Sequence, residues 1–273
     1  MTFFTAGRAD KLGIAKDVKC ENCGAPLSLK AGEVVITCDY CGTSFNVASG
    51  KDFFLKHSII PSRLDEKGIR KRVRNWMSDG SLKPTNMEKK SEIEEVSLTF
   101  LPFYIVHMNV TSHYQGYFTR TGEKKRKEGD LHREYYWKIL GRRGSNFPTK
   151  EYEIPISGKE DFNLSKLRSG AKFLNAEFDE KDAEDLAKVE IMDHQKYLLS
   201  EQINEFSDFS NDFELEDIEF VHAPVWKVDF NYAKNSYQVL LCGSTGDVIR
   251  GDIPPPDQSV GGFFSDIKKA LFG

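Results

Sequence analysis

No apolar run in this chain approaches the ~18 residues that a membrane-spanning helix needs. The longest candidate, Leu98 to Val110, is broken by Pro102, His107 and Asn109. The opening stretch MTFFTAGRADKLGIAK lacks the basic start, apolar middle and small-residue cleavage site of a secretory signal, so the expected compartment is a reducing cytoplasm. No G-x-x-x-x-G-K-[ST] string occurs, and Gly50-Lys51 and Gly158-Lys159 have no glycine upstream at the required spacing. G-x-G-x-x-G is absent too, so neither common phosphate-cradling loop is available. The six histidines show no metal-type local spacing. Carboxylates are plentiful, but nothing in their spacing pairs them for acid–base work, and the expectation is a protein that is not an enzyme.

Cysteine is scarce, with five residues in 273, yet four of them fall in one short stretch. That stretch, VKCENCGAPLSLKAGEVVITCDYCGTSF, holds Cys20-x-x-Cys23 and Cys38-x-x-Cys41, each pair followed at once by glycine. In a reducing compartment, paired cysteines bind metal more often than they form disulfides. Two such turns can bring four thiolates into a tetrahedral cage for one Zn²⁺, with no position left open for catalysis. Gly24 and Gly42 suit the left-handed backbone that follows the second cysteine of each turn. Fragments of this size cannot bury a core, so the metal would supply the folding energy. Cys242 lies in an apolar run beside Gly243 and reads as a buried, inert thiol.

Aromatic residues make up 12% of the chain, with 20 Phe and 10 Tyr, which favours β-rich packing. The net charge of -4 hides an asymmetry: residues 1–150 carry 26 Lys+Arg against 17 Asp+Glu, and residues 151–273 carry 12 against 25. Such polarity fits halves that attract each other, or a basic face kept for an acidic partner.

Along the chain, residues 1–16 read as a lead-in and 17–50 as a zinc ribbon with a hairpin around Ala31-Gly32. FFLKHSII (53–60) alternates as a strand, and a basic helix follows. Ser62 is placed to cap that helix, Ile69, Val73, Trp76 and Met77 form its apolar stripe, and Gly80 ends it. Residues 51–92 are thus a strand and basic helix. Residues 93–157 are mainly β, with RTGEKKRKEGD (120–130) as a loop. Residues 179–206 form a long acidic helix with Ala183, Leu186, Val189 or Ile191, Tyr197, Leu198 and Ile203 as apolar positions. Residues 213–252 return to β. The two β regions align: Pro102 falls on Pro224, Tyr104 on Trp226, Val106 on Val228 and Met108 on Phe230. The fold class is therefore α+β, an N-terminal zinc ribbon followed by a duplicated β-rich unit with intervening helices, the duplication spanning 93–253.

KCENCGAPL and TCDYCGTSF resemble the two knuckles of the zinc-ribbon family. The whole layout, through SIIPSRLDEKGIRKRVRNWM, LPFYIVHMNV and PVWKVDFNY, resembles bacterial and archaeal zinc-ribbon proteins labelled "primosomal protein N-prime-like". YQVLLCGSTGDVIRG is similar to the strand-turn-strand of PepSY-like domains. The label implies a replication helicase, which the missing phosphate loop contradicts.

Two functional expectations follow. In the first, the protein is an adaptor that contacts other proteins, or a membrane surface, through a tail. PPPDQSVGG (254–262) is a linker, and Phe263, Phe264, Ile267 and Leu271 then share one face of a short amphipathic helix. In the second, basic residues bind nucleic acid, with Arg70, Arg74, Lys125 and Arg126 as contacts. The net acidic charge argues against the second. No small-molecule substrate is expected.

Overall fold

The computed structural model describes residues 18–255, except 21, 28–32, 47–56, 121, 164–166 and 168. The fold is mixed α/β, dominated by one large, mostly antiparallel sheet with few helices. Four short strands belong to the cysteine region: β1 (Val18–Lys19), β2 (Pro26–Leu27), β3 (Val35–Thr37) and β4 (Ser44–Asn46). The sheet holds β5 (His57–Ile59), β6 (Glu92–Arg120), β7 (Glu123–Leu140), β8 (Glu160–Asp161), β9 (Lys172–Phe173), β10 (Glu205–Tyr232), β11 (Asn235–Cys242) and β12 (Val248–Gly251). Among the described residues three α-helices accompany it: α1 (Glu66–Ser78), α2 (Met87–Lys90) and α3 (Glu180–Leu199).

Strand alternation explains how β6 serves several layers at once. Its even positions Tyr104, Val106, Met108 and Val110 are buried on one face, under α3. On the other face Phe103 and Ile105 enter a separate cluster with Val221, Ala223 and Tyr152. Beyond Ile105 that face turns polar, with His107, Asn109, Thr111 and His113 in sequence. β6 pairs with β10 along nearly their whole lengths, with bulges at Phe206/Asp208, Leu215/Asp217 and Val228/Phe230. Among the described residues β7 pairs with β6 alone.

Two runs of strand, helix, strand and hairpin make the same contacts. The twofold centre within the β6–β10 ladder falls on Leu101 opposite Ala223, which sets Pro102 and Pro224 in equivalent places on either side. The Gly141 amide donates to the Pro102 carbonyl, and the Gly243 amide to the Pro224 carbonyl, both at 2.8 Å. Ile60 N donates to His222 O, and Leu174 N to Phe100 O. Arg63 N donates to Gly243 O, and Glu177 N to Gly141 O. Asp65 and Asp179 both accept a helix amide as N-caps, from Gly68 and Asp182. An approximate twofold axis thus relates β5–α1–β6–β7 to β9–α3–β10–β11, and each half's short first strand pairs in parallel with the other half's long strand. The repeat takes in β5 and α1, which the alignment alone left outside.

α1 buries Ile69, Val73 and Met77 against Leu98, Phe100, Trp226, Val228 and Phe230. Each such side chain contributes roughly 1.5–3 kcal/mol before entropy costs. α3 buries Ala183, Ala187, Ile191, Gln195 and Leu199. That is one residue per turn, so Leu186 and Tyr197, expected in its apolar stripe, are exposed, and of the alternatives Val189 and Ile191 it is Ile191 that is buried.

Four local expectations change. The α1 cap is Asp65, because Ser62 is engaged by Trp226 Nε1 at 3.2 Å. RTGEKKRKEGD is no loop: β6 continues to Arg120 and β7 starts at Glu123, since edge strands tolerate dense charge. The return to β begins at Glu205, not residue 213. Among the described residues, β2 pairs with β1 and β3 with β4, so each cysteine turn closes its own hairpin; residues 28–32, around Ala31-Gly32, lie outside the described set.

Candidate metal centre

Each cysteine turn is built alike. Gly24 N donates to Cys20 O at 2.7 Å and Gly42 N to Cys38 O at 2.9 Å. Cys20 N and Cys38 N each close the turn by donating to Ala25 O and Thr43 O. Gly24 and Gly42 have φ of 73° and 77°, the left-handed region that glycine enters without strain. These turns aim four sulfurs at one point.

The Cys20 and Cys41 sulfurs are 3.6 Å apart, and those of Cys23 and Cys38 3.7 Å. All four ligand atoms lie within 4.8 Å of one another. A tetrahedron with metal–sulfur bonds of ~2.3 Å has edges of about 3.8 Å, so the set fits one thiolate-bound ion. Cys20 and Cys38 are buried, while Cys23 and Cys41 face solvent. Tyr40 N points at Cys38 Sγ at 3.4 Å, and Asn22 Nδ2 at Cys41 Sγ at 3.6 Å. Burial pushes the Cys38 thiol up, against hydrogen bonds from the Cys41 and Tyr40 backbones. Burial acts on Cys41 in the same direction, but Thr43 and Asn22 outweigh it and hold this thiol at about 6. Among the described residues these four cysteines are the one group arranged to hold a metal.

The second turn is fastened to the sheet. Val34 N donates to Ala176 O at 2.9 Å, Val35 enters the α3 core cluster, and Thr37 N donates to Asn175 Oδ1 at 3.1 Å. Behind it runs a buried chain of hydrogen bonds that spacing arguments missed. Leu174 O can only accept, so His222 Nε2–H donates to it at 2.8 Å. His222 Nδ1 then accepts from His57 Nε2–H at 2.7 Å, and His57 Nδ1 accepts from Ser44 Oγ–H at 2.8 Å. Ser44 Oγ in turn accepts from Thr37 Oγ1–H at 2.7 Å. Burial favours the neutral form of both rings, and the network then assigns the Nε2–H tautomer to each. Phe162 stacks on His57 and Phe173 on His222, each at 4.0 Å. Burial holds both imidazoles below their ordinary value, His222 at about 3. The sequence signal was a histidine inside each of two apolar strand runs, HSII and FVHAPVW.

The four basic candidates occupy two places. Arg70 pairs with Glu66 at 2.7 Å, and Arg74 donates to the Ser91 carbonyl at 2.9 Å, both on α1. Lys125 and Arg126 lie near the β6–β7 turn and pair with Glu123 and Glu128. α1 packs at Leu98, whereas Lys125 stands opposite Phe118, so the two groups are separated along β6 by on the order of 60 Å. Phe263, Phe264, Ile267 and Leu271 lie outside the described residues. Cys242 is buried, 3.6 Å from the Tyr152 hydroxyl. No described helix is long and apolar enough to cross a membrane.

The chain matches no family model, no curated protein and no solved structure.

Proposed function

We propose that this protein is a non-enzymatic zinc-ribbon adaptor. One structural Zn²⁺ is held by Cys20, Cys23, Cys38 and Cys41, and a duplicated α+β domain offers contact surface to a protein partner. Four thiolates complete the ion's preferred shell, so its task is to hold the ribbon in shape. The repeated Gly–Pro and N-cap contacts support an origin of the domain by duplication.

The observation that carries the reading is the three-stranded blade of β6, β7 and β10. Beyond the core it keeps two open edges among the described residues: the outer edge of β7, and that of β10 over Glu205–Glu219. Unpaired strand edges invite strand pairing and are normally short or covered. The β10 edge carries Glu205, Asp208, Asp212, Glu214, Glu216, Asp217 and Glu219, with no Lys or Arg between 205 and 226. Its field selects a basic partner. Contact with a membrane surface through Phe263, Phe264, Ile267 and Leu271 belongs to the same reading.

The test is affinity capture with the wild-type chain against Asp212→Lys/Glu214→Lys. Specific capture that the charge reversal abolishes is the expected result. Identical captured sets would overturn the reading. Elemental analysis should find one zinc per chain. The nucleic-acid alternative has less support, because its basic residues are split between two sites and paired with carboxylates or carbonyls.

A further inference from the structure

A groove of about 860 Å³ runs between α3 and the segment 142–151. Ile139, Leu140, Phe147, Phe178, Leu186 and Val189 give it an apolar lining. Leu186 and Val189 are 45% and 55% exposed although they sit in mid-helix. The helix side is acidic, with Asp182, Asp185 and Glu190, and the opposite side carries Arg142, Arg143 and Lys150.

The internal twofold shows what such a groove is for. β7 ends at Leu140, opposite Phe103, as β11 ends at Cys242, opposite Val225. The counterpart of this groove therefore lies between α1 and the segment after Cys242. There β12 fills it: Val248 and Gly251 pair with Leu241 and Val239 of β11. Gly251 lies so close to the Trp76 ring that a Cβ would collide, and Gly246 lies against Leu64 and Arg72. In the first half the chain leaves instead through Phe147 and Tyr152 into another cluster. Among the described residues nothing takes the place of β12 beside Trp137–Ile139 of β7.

We propose that this groove is a docking slot and that its occupant is the chain's own C-terminal segment, residues 256–273. Arg250 of β12 already stands on the groove wall, joined to Glu151 with Nε at 3.0 Å from Oε2. The described chain ends shortly beyond it, at Pro255. Residues 256–262 reach roughly 23–25 Å when extended, enough to return to the groove. Phe263, Phe264, Ile267 and Leu271 then meet Leu186 and Val189, and Lys268 and Lys269 meet Asp182, Asp185 and Glu190. A tether this short gives the tail an effective concentration in the millimolar range, so docking in cis outcompetes a micromolar partner. The slot withholds the tail until a tighter partner draws it out; this consequence, unlike the slot itself, rests on the adaptor reading.

The test uses full-length chains. Trypsin cleavage after Lys268 and Lys269 should be at least tenfold slower in the wild type than in Leu186→Asp/Val189→Asp or Phe264→Asp/Leu271→Asp. Both groove positions are exposed, so those substitutions leave the core intact. In a second arm, a fluorescein-labelled synthetic peptide of residues 256–273 is titrated by anisotropy. It should bind the Phe264→Asp/Leu271→Asp chain at least tenfold more tightly than the wild type, whose slot is filled, and should not bind the groove variant. Equal cleavage rates, or equal peptide binding by all three chains, would overturn the proposal. Protection that grows with protein concentration would also overturn it, as docking between copies. So would wild-type flotation on anionic vesicles equal to that of the groove variant. Capture experiments that find no partner, with these protease and peptide results intact, would remove the adaptor reading and leave the slot standing.

Discussion

Acid should loosen the joint between the cysteine turns and the sheet, and His222 sets the scale. It is fully buried, neutral, and held at about 3 by loss of hydration. The unfolded chain regains a histidine of ordinary pKa, near 6.5. Below pH 6.5 the unfolded state therefore binds a proton that the native state refuses. The contribution to stability is whole above pH 6.5 and is lost as pH falls toward 3. At pH 4.5, two units below the unfolded value, the loss from His222 alone is about 2.7 kcal/mol, at about 1.36 kcal/mol per unit. His57 is also depressed, by burial first and then by the nearness of the His222 ring, and adds a loss of the same sign.

Carboxylates and cysteine ligands titrate in the same range, so the measurement is a difference. Urea unfolding of the wild type and of His222→Asn is followed at pH 7.5, 6.0 and 4.5. The variant starts lower, having lost its bonds to His57 and Leu174, but its stability should fall less steeply with acid. The two curves should converge by roughly 2–3 kcal/mol between pH 7.5 and 4.5. Parallel curves would refute the reasoning. So would ring nitrogen shifts showing either ring as an imidazolium in the folded protein at pH 5.5, since burial holds both below their ordinary value.

Replacing Cys38, a buried ligand, with Ser should abolish stoichiometric metal binding. Exchange protection should fall around Val35–Thr37 and Ala176 while the β6–β10 ladder keeps its protection, as read by hydrogen exchange. Gly243→Ala should cost about 1–3 kcal/mol in urea unfolding, because the new methyl would lie 2.7 Å from the Pro224 Cβ and 3.0 Å from Ser62 Oγ. Gly141→Ala should cost less, since its nearest neighbour, the Ala176 Cβ, is 3.1 Å away. Nucleic-acid binding measured by anisotropy should be weak and fall steeply with salt; tight binding at high salt would contradict the structure's separated basic groups. Purified protein should show no nucleotide turnover, given the missing phosphate loop; turnover abolished by a point substitution in this chain would overturn that.

The metal centre was legible because the spacing of Cys-x-x-Cys-Gly twice over dictates local turns, and local turns need little from the rest of the fold. The alignment of Pro102 with Pro224 was legible for a related reason: a proline, an aromatic and a valine at alternate positions mark where a strand starts and which face it buries. Tertiary context decided the rest. Ser62 is a good helix cap in isolation, but a neighbouring strand brings Trp226 to it. The charges of 123–128 favour a loop by composition, yet on an edge strand they point to solvent and pair with one another. α3 reads as amphipathic through Leu186 and Val189, but β7 meets it along Ala183, Ala187 and Ile191. The His57–His222 relay joins residues far apart in sequence, so only the parallel pairing of β5 with β10 reveals it.

The departures from internal symmetry locate where this fold does more than hold itself together. In the second half, the hairpin of β10 and β11 closes at Ala233-Lys234 and contributes Val228, Phe230, Val239 and Leu241 to a core. That short hairpin is sufficient for packing. Its counterpart in the first half continues to Arg120 and Glu123, and the added length buries little. Under α3 the contact is one residue per turn, two of the five being alanine, and Gln195 is buried with neither amide atom bonded to a described residue. Ordering such a segment costs about 1–2 kcal/mol of backbone entropy per residue, which burial this thin does not offset. The strand before the second cysteine turn also breaks the symmetry, at the β9–α3 junction through Ala176 and Asn175, with no counterpart at the β5–α1 junction among the described residues. Blade, cysteine turns and open groove are thus the departures from the internal twofold, each built from elements of both halves, and they are where a core-only account leaves the most residues unexplained.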